Sequence, residues 1–428
     1  MTEDIQTSEA PAASAERICF LHIGPHKTGT TSIQNALFVN ADRLAKLGVY
    51  YPTVSGDRGG KQRRNHTPLS RMSNFKAQHL TDSPFWEELG RKIQKIDGSI
   101  VISTEHFAEA LRDESRYRRV TEFFRERGFR IVAVAYVRDQ PGWLNSWYTQ
   151  DQRNFSSRQT FRQFLEHALE VGLVDPWAYL KRFLDDPQAE VRVVSFEQAV
   201  RQGLARSFLD AIGVPASFEI PEPKASNPNI GVKGMFAAQE IMRRVNGRVR
   251  SLPNYSDLYE SFKGLMRGRD WEQTAYVGLS PDDEALIRER YRESNDRFAR
   301  EWFGKDWATI CPARSLELKT FDFDAASEDD KRDVLEVVER MVDLIGSSPS
   351  AARDFLKGDH KKAGGRPKKA GKKGLGKQGR GKQGLGKQGA GKQRLAKQGP
   401  GKQGLGKKGG GKKAGAKPAV DVPSAAEG

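Results

Sequence analysis

Cysteine is almost absent from this chain: Cys19 and Cys311 are the two among 428 residues. So small a number excludes a disulfide scaffold and a cysteine-based zinc site. No run of about 18 apolar residues occurs, which argues against a membrane-spanning helix. The first sixteen residues, MTEDIQTSEAPAASAE, have no apolar stretch of the kind a secretory signal needs. They are acidic and polar, and are expected to form a disordered leader. The default expectation is a cytoplasmic location, with attachment at a membrane surface as an alternative.

Positive charge is in excess, with 71 Lys and Arg against 55 Asp and Glu, a net of +16. The excess is not shared out. Residues 357–428 hold 21 basic and 3 acidic side chains, a net of +18, and the rest of the chain holds 50 against 52, a net of −2. A near-neutral body therefore carries a strongly basic tail. From Lys372 to Lys412 a lysine stands at every fifth position, in units close to Gly-x-Gly-Lys-Gln. A period of five matches neither helix nor strand, and glycine is costly to order. The tail is expected to be disordered and extended by self-repulsion. Regularly spaced lysines suit a polyanion: nucleic acid, an acidic polysaccharide or an anionic membrane surface. The stretch around Arg366, KKAGGRPKK, resembles the core of a minor-groove AT-hook without its preceding arginine. A solubilising extension with no dedicated partner is the other reading.

In the body, four apolar segments read as buried strands of a parallel sheet: 18–24, 99–104, 130–137 and 190–196. Amphipathic stretches follow three of them, at 31–47, 141–150 and 199–212. The alternation predicts a single α/β domain over 17–350, with ligands at the carboxyl ends of the strands. Beyond Ile230 the pattern is mostly helical, and Ser280-Pro281 with two following acids marks a helix start. Residues 54–65 form a polar, basic loop of the length that often carries function.

The first strand runs into Gly24-Pro25-His26-Lys27-Thr28-Gly29-Thr30-Thr31-Ser32 and then into a helix. A strand, a glycine-bearing turn and a helix N-terminus form a phosphate cradle. Gly24 and Gly29 have the spacing of the nucleotide-binding loop G-x-x-x-x-G-K-[ST]. However, Thr30 stands where its lysine belongs, and the lysine is displaced into the turn as Lys27. The strand at 130–137 leads into Arg138 and shows no clear acidic end for a magnesium ion. Both features disfavour ordinary NTPase chemistry. A small-molecule kinase or NTPase on this scaffold is one alternative, and a degenerate transferase binding polyanions through its tail is another.

These residues resemble the family of sulfotransferases that use 3′-phosphoadenosine 5′-phosphosulfate. Gly24, Lys27, Thr28, Gly29, Thr30 and Thr31 fit the family's phosphosulfate loop. AYVRDQPGWLNSWYTQ, with Arg138 and Ser146 eight residues apart, fits its 3′-phosphate motif. Weaker similarity continues through Glu197, Asn227 and the helix after Ser280, so the resemblance covers roughly 17–305. It implies a three-layer P-loop-type fold with a central parallel sheet flanked by helices, with the disordered basic tail added. Its implied reaction is sulfuryl transfer to an acceptor hydroxyl, on a carbohydrate or glycolipid, releasing adenosine 3′,5′-bisphosphate without a metal. Lys27, Thr28 to Ser32, Arg138 and Ser146 would hold the donor, and basic Arg267 and Arg269 would belong to a closing lid. For the base, family members use a histidine just after a core strand or a glutamate after the phosphate-loop helix. Glu105 and His106 offer the first and His66 the second, and His26 lies within the loop itself. The lysine some members carry near residue 103 is missing. Trp143, Trp147 and Tyr148 can stack on sugar rings or belong to the core.

Overall fold

The computed structural model describes residues 16–55, 63–220, 229–246, 249–314 and 316–347. The leader, the repeat tail, Asn227 and residues 56–62 lie outside the described residues. The chain divides into two units, Met1–Gly365 and Arg366–Gly428, and every described residue falls in the first.

Five strands form one all-parallel sheet: β1 (Ile18–His22), β2 (Val49–Tyr50), β3 (Ser99–Ser103), β4 (Arg130–Val137) and β5 (Ala189–Ser195), in the order β2-β3-β1-β4-β5. The expected strands are present and β2 adds a fifth. Alternate side chains of each strand face opposite sides. Leu21, Ile102, Ile131 and Ala133 join one core, while Phe20, Val101, Val132 and Tyr136 join the other. Both faces are buried, so the strands read as continuous apolar runs.

Helices cover both faces. On one side lie α1 (Thr30–Val39) and the later helix Leu204–Ala211, through Ile33, Leu37, Phe208 and Leu209. On the other lie α2 (Pro84–Ile93), α3 (Glu114–Arg125) and α4 (Gln140–Arg153), through Trp86, Leu89, Val120, Phe124, Trp143 and Leu144. The single amphipathic stretch expected over 199–212 is two helices, because Gly203 breaks it with φ 96°.

The carboxyl ends of the three central strands form the working edge. After β1 the chain builds β3 and β2 on one side, then crosses to build β4 and β5 on the other. This reversal opens a crevice beyond β1. Helix α5 (Pro281–Phe303) fixes the start of α4 from outside. Ser280 caps α5, its hydroxyl accepting from Asp283 N–H at 3.1 Å. One face of α5 then delivers Arg288 to Asp139, at 2.9 and 3.3 Å, and Asn295 to Gln140, in a reciprocal amide pair at 2.7 and 3.0 Å.

Gly231 opens the helix Gly231–Arg244 at φ +66°, and a Cβ there would lie 1.5 Å from the Trp271 carbonyl oxygen. Both the backbone angle and the contact exclude a side chain. Gly231→Ala is expected to cost about 3 kcal/mol of unfolding free energy, read from urea midpoints. An unchanged midpoint contradicts this packing.

Candidate active site

The loop from β1 to α1 has its carbonyls tied down and its amides left free. Thr28 is buried and its hydroxyl donates to the Pro25 carbonyl at 2.7 Å. Trp143 Nε1 donates to the His26 carbonyl at 2.6 Å, and Arg138 Nη1 to the Lys27 carbonyl at 2.6 Å. Lys27 at φ 68° and Gly29 at φ 81° are both left-handed, which winds the backbone into an anion-binding nest. Gly29 is favoured as glycine by its φ of +81°, and a Cβ there would also press on the Leu204 side chain. The N–H groups from Lys27 to Thr31 find no hydrogen-bond partner among the described residues. The buried Thr30 hydroxyl has none either. Helix α1 has no capping side chain and no acid in its first turn. Thr31 is exposed and Ser32 half-buried at its start. A nest of free amides at a helix N-terminus, with an orphaned hydroxyl, is a site for an anion.

Cations surround the nest. Burial, then the charges of Arg153 and Arg138, lower the Lys27 ammonium to about 8. Among the described residues no acid pairs with it. Burial also lowers Arg138, opposed by the nearby Glu197 carboxylate. The Arg138 guanidinium lies 4.6 Å from the Phe196 ring. Behind it, Glu197 is buried, its Oε1 accepting the Asp139 N–H at 3.3 Å. Ser146 is half-buried on α4, and its hydroxyl has no partner among the described residues. Arg153 and Arg250 also reach this site, through Lys27 and His26 respectively. The sequence reading missed both. The spacing of Arg153, seven residues after Ser146 and on the same helical face, was the available signal for one of them.

Several sequence expectations change. His66 is not a loop base. It is fully buried; its Nδ1 accepts the Ser103 N–H at 3.0 Å and its Nε2 donates to the Pro52 carbonyl at 2.7 Å. Both nitrogens are committed to backbone, so the ring ties Pro52 to the end of β3. Trp143 and Tyr148 are buried core residues, so neither offers an exposed face to a sugar; Trp147 is half-buried. Arg269 does not serve a lid over the loop. It pairs with Asp333 and Glu336 of the helix Glu328–Gly346, which neutralise it. Arg267 is exposed at the end of the helix Tyr255–Met266, and neither arginine touches residues 24–32 among the described residues. At the end of β3, Ser103 is buried against His22 Nδ1 at 2.8 Å.

Glu105 and His106 remain beside the nest. Glu105 accepts from Gln34 Nε2 of α1 at 3.3 Å. The His106 ring meets the His26 ring edge-on, with centroids 4.7 Å apart. His26 also lies 4.9 Å from the Trp147 ring. Burial, then His106, Lys27 and Arg250, hold His26 down to about 4 against the pull of Glu105. His26 is thus neutral near pH 7, and both rings are half-buried. The structure therefore gathers Lys27, the 27–31 amides, Arg138, Glu105 and His106 at one crevice, and leaves His66, Arg267 and Arg269 outside it.

No family model matches the chain, and no curated protein matches it. A solved structure described as a sulfotransferase from Alicyclobacillus acidocaldarius is similar at 16% identity, over 50% of this chain and 87% of that one, with a TM-score of 0.33. Similarity of that degree carries nothing about donor or acceptor. The case for an activity rests on the residues of this chain.

The assignment of His66 has a pH signature. Burial lowers its ring to about 4, against about 6.5 in an unfolded chain. Between those values the unfolded state binds more protons, so its contribution is present above pH 6.5 and lost as pH falls toward 4. His66→Gln cannot titrate. It is expected to lose about 1–2 kcal/mol at pH 7 and to show a shallower fall in stability from pH 6.5 to 4, followed by urea unfolding. An identical slope in the two proteins contradicts the assignment.

Proposed function

We propose that the chain transfers a sulfuryl group from 3′-phosphoadenosine 5′-phosphosulfate to an acceptor hydroxyl on a carbohydrate or glycolipid. The observation that carries this reading is the nest of unbonded amides from Lys27 to Thr31, with the Lys27 ammonium inside the turn. In an ordinary nucleotide loop the lysine follows the second glycine and reaches the terminal phosphates. A lysine within the turn suits a shorter chain, a 5′-phosphosulfate. Arg138 supplies a forked donor for a second dianion, the 3′-phosphate, and the Ser146 hydroxyl adds to it.

The chemistry follows from that placement. The acceptor oxygen forms a bond to sulfur as the bond from sulfur to the bridging phosphate oxygen breaks. Adenosine 3′,5′-bisphosphate leaves with the charge that develops on that oxygen. Lys27 and the free amides meet the charge in a buried setting, where preorganised donors are most effective. The acceptor's proton passes to a base. His106, whose ring meets the neutral His26 edge-on, fits this role, with Glu105 beside it. No described helix is long and apolar enough to cross a membrane. The basic repeat is proposed to bind a polyanion.

Titration of the full chain with adenosine 3′,5′-bisphosphate and with magnesium ATP decides between sulfuryl transfer and a kinase. Tight binding of the bisphosphate alone is expected, weakened at least tenfold by Lys27→Ala or Arg138→Ala. Tight binding of magnesium ATP alone ends the proposal. Since Lys27 loses its charge through about pH 8, bisphosphate affinity is expected to fall between pH 7 and 9, and Lys27→Ala to abolish that dependence.

His106→Ala is expected to lower transfer of sulfur-35 from the donor by roughly 100-fold or more, with bisphosphate affinity unchanged. Retention of full transfer moves the base role to Glu105.

A further inference from the structure

On the sulfuryl-transfer reading, the donor's two anionic ends are served by the nest with Lys27 and by Arg138 with Ser146. Two cations beside them remain. Arg153 ends α4, on the face that carries Ser146. Its Nε is buried and bonds to nothing among the described residues. Arg250 is exposed and close to His26. Its Nη1 donates to the Ser156 hydroxyl at 2.5 Å. Both arginines act on Tyr255, whose hydroxyl donates to the Asn154 carbonyl at 3.1 Å. They therefore share one neighbourhood. Between them, Phe155 is buried at φ 49°, an angle rare for a bulky residue. That turn carries the chain from Arg153 to the hydroxyl that holds Arg250.

Charge balance is unusual here. Other part-buried guanidinium groups have partners: Arg125 pairs with Asp186 at 2.7 Å and Arg288 with Asp139 at 2.9 Å, and Arg17, Arg112 and Arg119 donate to backbone carbonyls. Neither Arg153 nor Arg250 forms an ion pair among the described residues. Asp151 is a neighbouring carboxyl, yet burial pushes it up to about 6 and it closes no pair with Arg250. Asp151 supplies one negative charge against Lys27, Arg138, Arg153 and Arg250; like charges left in excess repel, and an added anion relieves the repulsion.

Resting on the sulfuryl-transfer reading, we infer that Arg153 and Arg250 bind an acidic substituent of the acceptor, a carboxylate or a sulfate ester, so that the acceptor is an acidic sugar. Half-buried Trp147, against His26, offers the amphipathic ring beside which a sugar ring can lie. The arginines' planar forks match either oxyanion.

The test uses the full chain saturated with adenosine 3′,5′-bisphosphate and titrated with glucose, glucuronate and glucose 6-sulfate, followed by ligand-detected NMR. Single-charge sugars gain nothing from the multivalency of the repeat, which is present in every protein compared. Wild type is expected to bind at least one charged sugar tenfold more tightly than glucose, and the better of the two identifies the oxyanion. The double variant Arg153→Gln, Arg250→Gln is expected to erase that preference while bisphosphate affinity changes less than threefold. Replacement of both by lysine should restore part of the preference. Equal binding of the three sugars by wild type, or a preference kept by the glutamine variant, overturns the inference. So does a tenfold loss of bisphosphate affinity in that variant, which would place the arginines on the donor. Failure of wild type to bind the bisphosphate is a different result: it removes the sulfuryl-transfer reading and this inference with it.

Discussion

The site depends on one asymmetry in a short backbone segment. Three consecutive carbonyls, of Pro25, His26 and Lys27, each accept a hydrogen bond from a side chain. The amides from Lys27 to Thr31 donate to nothing among the described residues. A buried backbone donor without an acceptor is costly, so the loop is stable as built only because something anionic or solvent can reach it. The left-handed angles at Lys27 and Gly29 are the local expression of that arrangement, and strain of this kind collects where function needs it.

Charge makes sense once it is divided by location. The body is close to neutral, and many of its arginines sit in ion pairs with nearby acids. The exposed ones among them contribute little. Around the nest the pattern reverses: Lys27, Arg138, Arg153 and Arg250 have no ion-pair partner among the described residues. At buried Lys27 and Arg138 the low local dielectric makes an uncompensated charge count for more than one in water. The whole-chain excess of +16 therefore says little about the crevice.

The sheet was legible because its strands are buried on both faces and so appear as unbroken apolar runs. β2 was not, since two residues carry no pattern. The glycine-bearing turn from β1 into α1 was legible because Gly24, Lys27 and Gly29 stand at fixed spacing between an apolar strand and a helix, a pattern visible in sequence. Polar composition misled at His66: a polar residue can be buried when backbone groups satisfy it, and those partners, Pro52 and Ser103, are not adjacent in sequence. The basic stretch around Arg269 misled for the same reason, because its neutralising acids lie more than sixty residues later. Arg153 and Arg250 were hidden among 71 basic residues; only their lack of partners sets them apart, and sequence does not show partners.

Two of the three ties on the loop come from far along the chain: Arg138 is 111 residues from Lys27, and Trp143 is 117 from His26. The nest is thus not a local motif that closes on its own. Its shape exists only after β4 has docked beside β1 and α4 has packed against the sheet, contacts that close late because of their loop entropy. A ligand recognising the nest therefore recognises the assembled domain. By mass action its binding energy becomes folding energy for both halves of the sheet at once, so that ligand concentration acts on the stability of the whole fold and not only on the occupancy of one loop.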